Sequence, residues 1–170
     1  MAGAAALWWV WRRGSNSSRE DEPEASSTRD VDADVEELLD AVGAPYFFGR
    51  GSPSTPWSEL DDGVDCSGFA QIALVRLGLL DADATDRGAR ELADDSDPVE
   101  LGHQEPGDLA YYPGHVMVVV GYPDEDGHSP VLGASGGDAT TFGGDENAYV
   151  KLFDRGDYRD DFVTYMRLRS

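Results

Sequence analysis

The sequence holds a single cysteine, Cys66, and a single lysine, Lys151, in 170 residues. One cysteine excludes a disulfide within the chain and any zinc or iron–sulfur site built on the cysteines of one chain. Basic residues are few: 13 Lys and Arg face 34 Asp and Glu, for a formal net charge of −21. Such a surface repels polyanions, which argues against nucleic acid and anionic lipid as partners. Scarce lysine with abundant aspartate resembles the composition of proteins that work in molar salt, where screening removes self-repulsion. An ordinary acidic protein shares it. No apolar run approaches the ~20 residues that a membrane-spanning helix needs.

The longest apolar run opens the chain. Residues 1–13 carry Trp8, Trp9 and Trp11 ahead of Arg12 and Arg13. The stretch lacks basic residues before its apolar part and a small-residue cleavage site after the arginines, so it does not read as a secretory signal. Docking on a protein partner, seating at a membrane interface and folding back onto the chain's own domain all remain open. Docking is favoured, since tryptophan is a preferred interface anchor. Residues 14–30 have the polar, acidic composition of a linker, and residues 31–170 are read as one domain.

Within that domain a helix is expected over 32–42, with Val35, Leu38, Leu39 and Val42 on its apolar face and Gly43 able to end it. A second is expected from Cys66 to Leu80, with Phe69, Ile72, Leu77 and Leu80 at helical spacing, and a short third near 87–93. Strand patterns follow at 108–112, 115–121, 130–135, 148–153 and 162–168, separated by Gly, Asp and Pro turns. Helices first and consecutive strands after imply an α+β domain with a mostly antiparallel sheet.

Cys66 stands at the start of the second helix. Unpaired backbone N–H groups and the positive end of the helix dipole favour thiolate there, as a nucleophile requires. The plainer alternative is a small buried hydrophobe. His115 starts the very apolar strand His-Val-Met-Val-Val-Val after the turn Tyr112-Pro113-Gly114. An imidazole at a strand's mouth can take a thiol proton and return it to a leaving amine, or it can merely satisfy a turn carbonyl.

Pro45-Tyr46-Phe47-Phe48-Gly49, Asp65-Cys66-Ser67-Gly68-Phe69, Gly107-Asp108-Leu109 and Gly114-His115-Val116 occur in that order. The combination resembles the NlpC-type papain-like cysteine peptidases over residues 35–168. The resemblance implies a cysteine-bearing helix packed on a mostly antiparallel sheet of five to six strands. It further implies cleavage of amide bonds in cell-wall peptides, typically beside D-glutamate and diaminopimelate, without a metal or cofactor. Carried over residue by residue, Cys66 is the nucleophile, His115 the base, and Tyr46 a wall of the site near the oxyanion. Asp65 and Ser67 match positions that in some relatives meet the free amine of the substrate, and Asp108 is structural.

The pattern departs at the third catalytic position, where family members carry His, Asn or Gln. In Val131-Leu132-Gly133-Ala134-Ser135 that place falls on Gly133. Ser135, on the same strand face, is the candidate orienting residue. His103 and His128 read as loop histidines. The acidic clusters 61–62, 94–95, 124–126 and 160–161 lack the ligand alternation of a calcium loop and read as solvated surface, and the glycine-rich run 135–145 as a mobile loop beside the cleft.

The first functional reading is therefore a cysteine peptidase or amidase facing a cell envelope, and an acyltransferase using the same thiolate is a variant that needs a dry cleft. A second, from another class, is a catalytically weak or silent component of a virion tail or similar assembly, motivated by Gly133 and the tryptophan arm.

Overall fold

The computed structural model describes residues 31–169. The docking arm and linker expected over 1–13 and 14–30 lie outside the described residues. Helix α1 spans Val31–Leu39. It seats Val35 and Leu38 in the core and gives way to a turn before Val42, which the longer expected helix would have buried and which is instead 48% exposed. A 3-10 turn, Trp57–Asp62, precedes helix α2, Cys66–Arg76. Asp65 caps α2: its Oδ1 accepts the Gly68 N–H at 2.8 Å, as N-cap carboxylates do. The helix stops a turn earlier than its apolar spacing predicts. Gly78 adopts φ 65°, and the N–H groups of Gly78 and Leu79 return to the carbonyls of Val75 and Leu74, a glycine-based C-terminal lock. Helix α3, Ala89–Asp94, is closed at its start by Glu91, which accepts the Gly88 N–H at 2.8 Å. Among the described residues no helix is long and apolar enough to cross a membrane.

Six strands follow: β1 Ser96–Val99, β2 Leu109–Tyr112, β3 His115–Val119, β4 Val131–Ser135, β5 Tyr149–Phe153 and β6 Thr164–Leu168. They form one sheet in the order β1-β6-β2-β3-β4-β5, every pairing antiparallel. Strand β1 was not expected, because Ser-Asp-Pro-Val in an acidic stretch carries no alternating pattern. Its place at the sheet edge is where a proline can sit. The other edge, β5, is covered by residues 43–46: Gly43 N–H donates to Val150 O, Val150 N–H to Ala44 O, and Tyr46 N–H to Ala148 O.

Side chains alternate along the central strands, and both faces are buried. Val116, Val118, Leu132 and Ala134 join the α2 side with Phe69, Ile72 and Leu38. Ala110, Tyr112, Met117, Val119, Val131 and Tyr165 form a second core on the opposite face, against which Phe153, Tyr158 and Phe162 pack. Segment 154–163 thus acts as an outer layer, tied to the sheet by Tyr112 OH donating to Gly156 O and by Gly156 N–H donating to Ser129 O.

Asp108, buried ahead of β2, accepts from Arg167 Nε at 2.7 Å, from Arg167 Nη2 at 2.8 Å and from the Glu105 N–H at 2.8 Å. It fixes the turn before β2 to β6. Replacing it by alanine removes the acceptor of the Glu105 N–H and leaves the half-exposed Arg167 with Glu105 alone, so we expect a loss of about 1–3 kcal/mol in chemical denaturation. A loss below about 0.5 kcal/mol would show that the turn holds without it.

Candidate active site

The first turn of α2 is built on close backbone approach. The Asp65 N–H donates to Arg50 O at 2.9 Å, and Asp65 Oδ2 accepts the Gly49 N–H at 2.9 Å, so residues 49–51 lie across Gly68. Ser67 Oγ donates to Asp65 Oδ1 at 3.0 Å. Both side chains matched to amine recognition are therefore already joined to each other, and the carboxylate also serves as cap.

Cys66 is a free, buried thiol. Its sulfur faces the backbone N–H of Val116, which brings the start of α2 to the mouth of β3, one residue from His115. Tyr46 is in electrostatic contact with Cys66, and burial first, then the charges of Cys66, Asp65 and Asp138, raise its phenol well above the ordinary range. Its backbone is held on both sides, bridging Val64 and accepting from Gly143 at 3.1 Å. The glycine-rich run expected to move beside the cleft is pinned there: Phe48 N–H donates to Thr141 O at 2.9 Å, and Phe47 meets Phe142 edge-on at 5.3 Å.

His115 is 8% exposed. Its ring lies 5.4 Å from that of Tyr112, and its charged neighbours are Arg159 and Asp161 of the outer layer. Among the described residues no hydrogen bond joins the imidazole to the thiol, and the buried Nε2 has no partner. Ser135 does not reach it, its hydroxyl being paired with Tyr158 OH at 3.3 Å. At Gly133 a Cβ would meet Met117 Cγ at 3.1 Å and Cε at 3.2 Å, so methionine fills the space where an orienting side chain would stand.

The resting protonation differs from that expected of a helix-start cysteine. Burial pushes the Cys66 thiol up to about 11, and Asp65 adds to it against the backbone N–H groups of Val116, Ser67 and Cys66. Burial also drives the His115 imidazole down to about 4, with Arg159 reinforcing and Asp161 opposing. At neutral pH Cys66 therefore rests as a thiol and His115 as a neutral imidazole. Alkylation of Cys66 by iodoacetamide is therefore expected to keep accelerating above pH 9, with no plateau near neutrality, because only thiolate reacts. A plateau below pH 7 would instead reveal a preformed thiolate–imidazolium pair.

Two histidines outside this pair divide. His103 is exposed, 3.7 Å from Glu100. His128 is not the solvated loop residue its sequence context suggests: its Nε2 lies 3.3 Å from Asp157, and its ring faces Phe162 and Tyr165. Among the described residues no three His, Cys, Asp or Glu side chains gather to hold a metal ion.

No family profile matches the sequence, and no curated protein matches it. Solved structures do. The chain superposes on the P60 domain of an antigen from M. avium subspecies paratuberculosis with a TM-score of 0.55 at 19% identity, over 81% of this chain and 93% of that one. The fold is that of the NlpC/P60 domains. NlpC1 from Trichomonas vaginalis aligns with a TM-score of 0.55 and 20% identity over 85% of this chain and 46% of that one. A lipoprotein-like protein of the NLP/P60 family from Staphylococcus aureus gives 0.53 and 20%, over 89% of this chain and 45% of that one. The chain thus spans less than half of the latter two proteins. The α+β architecture expected from the sequence, a cysteine-bearing helix on a mostly antiparallel sheet of five to six strands, is found with six strands, consistent with the NlpC/P60 fold. The outer-layer residues Arg159 and Asp161 were missed, since nothing in an Asp/Arg-rich stretch 44 or more positions after His115 marks them as charges that act on it.

Proposed function

We propose that this domain is a cysteine amidase or peptidase acting on cell-envelope peptides. The observation that carries the reading is the lone cysteine in the first turn of α2, its sulfur against the Val116 N–H and one residue from His115, in an NlpC/P60 fold. The Cys66 sulfur attacks the amide carbonyl while its proton passes to His115, so charge is created during attack and not beforehand. The Cys66 backbone N–H supplies a donor for the oxyanion, and Tyr46 walls the same side. His115 then gives its proton to the departing amine as the C–N bond breaks, leaving a thioester. Water, deprotonated by the neutral imidazole, hydrolyses the thioester and returns the proton to the thiol. Asp65 and Ser67 face a cationic substrate end, consistent with a carboxylate already oriented by two N–H groups and a hydroxyl.

The partnerless Nε2 and Met117 in the orienting position favour a second reading, a catalytically silent domain serving an assembly such as a virion tail. The two separate when the full chain is incubated with soluble cell-wall peptide fragments, in low and molar salt, and products are read by mass spectrometry. Fragments cut at an amide bond by wild type and not by Cys66→Ala, or an acyl group carried on Cys66, support the hydrolase. A folded wild type that yields neither overturns it.

A further inference from the structure

We propose that the chain's own N-terminal arm docks on the domain, with the Trp11 indole in the pocket between Pro45 and Tyr149 and with Arg12 and Arg13 paired to Asp145 and Glu146. Of the three places that the sequence leaves open for the arm, its own domain offers a built receptor. A pocket of about 380 Å³ opens where residues 43–45 lie along β5. Pro45, Ala148 and Tyr149 give it apolar and aromatic walls, and the exposed Asp145 and Glu146 add two carboxylates. Backbone bonds hold its shape: Ala148 N–H donates to Asp145 O at 3.1 Å, Tyr46 N–H to Ala148 O at 2.9 Å, and Asn147 N–H to Asp145 Oδ1 at 2.8 Å. A preformed pocket costs a guest little reorganisation. Lys151 is engaged elsewhere, its Nζ donating to Asn147 O at 2.6 Å and standing 4.7 Å from the centre of the Tyr149 ring. Among the described residues no basic side chain pairs with Asp145 or Glu146.

The arm matches this pocket in chemistry and in reach. Residues 1–13 hold Trp8, Trp9, Trp11, Arg12 and Arg13 and no acid, in a chain whose net charge is −21. Tryptophan and arginine are preferred interface anchors, and an indole packs well against another aromatic ring. Trp11 adjoins both arginines, so one short segment carries an apolar body and two cations to one pocket with two carboxylates. Residues 14–30 can extend to roughly 55 Å. Between their end and the turn that leads to Gly43 lies only α1, whose nine residues measure about 13–14 Å. Tethering keeps the arm at an effective concentration on the order of millimolar, which a separate partner protein must outcompete. An anionic bilayer would have to hold the same arginines against the repulsion of a strongly acidic domain. Docking needs no chemistry at Cys66 and stands under either reading of function.

The test is NMR of the isotope-labelled full chain, with the Trp11 indole assigned by Trp11→Phe. Docking predicts through-space cross-peaks from that indole to the Tyr149 ring and the Ala148 methyl, unchanged on tenfold dilution. Trp11→Ala should erase them and shift the amides of residues 43–45 and 144–149. Arg12→Glu with Arg13→Glu should release the indole, and adding Asp145→Lys with Glu146→Lys should bring it back. That recovery is decisive, because four substitutions that merely disturbed the fold would not restore a contact. Cross-peaks absent from the folded wild type, or lost on dilution as for the arm of a second copy, overturn the proposal. So do transfer of the indole to added phosphatidylglycerol vesicles and failure of the charge swap. Cleavage of cell-wall peptides, present or absent, leaves each of these outcomes unchanged.

Discussion

Replacing Cys66 by alanine is expected to lower kcat/KM on a soluble cell-wall peptide by at least about 10³-fold, and His115→Ala by a similar factor. The double variant is expected to be no worse than either alone. In the proposed mechanism sulfur and imidazole act as one unit: Cys66 rests as a thiol and His115 as a neutral imidazole, so removing either partner should remove the same step. Steady-state kinetics check this, with circular dichroism confirming that each variant is folded. Losses that multiply in the double variant would mean that the two residues act in separate steps. A His115→Ala loss under tenfold would mean that another base serves the thiol.

The second large effect concerns stability. A Cβ added at Gly68 would lie 2.2 Å from Arg50 O, 2.8 Å from Gly51 Cα and 2.9 Å from Gly51 O. All three atoms are backbone and cannot rotate away. Helix propensity favours alanine over glycine by about 1 kcal/mol, whereas overpacking costs about 1–3 kcal/mol and lies at or above the top of that range when the atoms met are backbone. The clash wins, and Gly68→Ala should lose at least about 2 kcal/mol in guanidinium denaturation. Because residues 49–51 hold the cap of α2, the variant should also lose activity beyond its loss of stability. Gly43→Ala is the useful comparison: its φ is 101° with nothing within 4 Å of a Cβ, so it tests conformational strain of about 1 kcal/mol alone. A Gly68→Ala protein as stable as wild type would show that the loop does not seat on the helix.

That glycine explains why part of the site was legible in the sequence. Asp65, Cys66 and Gly68 form a local unit in which cap, cysteine and close approach sit at fixed spacing, so the motif carries its own geometry. Tyr46 and His115 are distant in sequence, yet each stands at the start or end of a strongly apolar element, and their order matches the NlpC pattern. Strands β2 to β6 were visible because Val, Leu, Met and Tyr recur between Gly, Asp and Pro turns. Strand β1 was invisible, since pairing with β6 is a tertiary choice made by a four-residue segment with a proline. The outer layer was invisible for a related reason: Phe153, Tyr158 and Phe162 have no common period, and their burial appears only when segment 154–163 folds back on Tyr112 and Tyr165. The Cys66 environment shows the limit most plainly. A helix start predicts an acidic thiol, but burial and the Asp65 charge outweigh the nearby N–H groups, and burial depth is not written in the local sequence.

The two ends of the sheet bear on the protein's behaviour at high concentration. An open strand edge is a template on which a second molecule can add its own strand. Here β5 has Val150 hydrogen-bonded on its outer side by residues 43 and 44. At the opposite end, β1 is only four residues long and sets Pro98, which has no N–H, beside Asp97. Neither edge offers a long, flat ladder for intermolecular pairing, so when molar salt screens the −21 net charge, shape still protects the sheet from amyloid-like growth where repulsion no longer does.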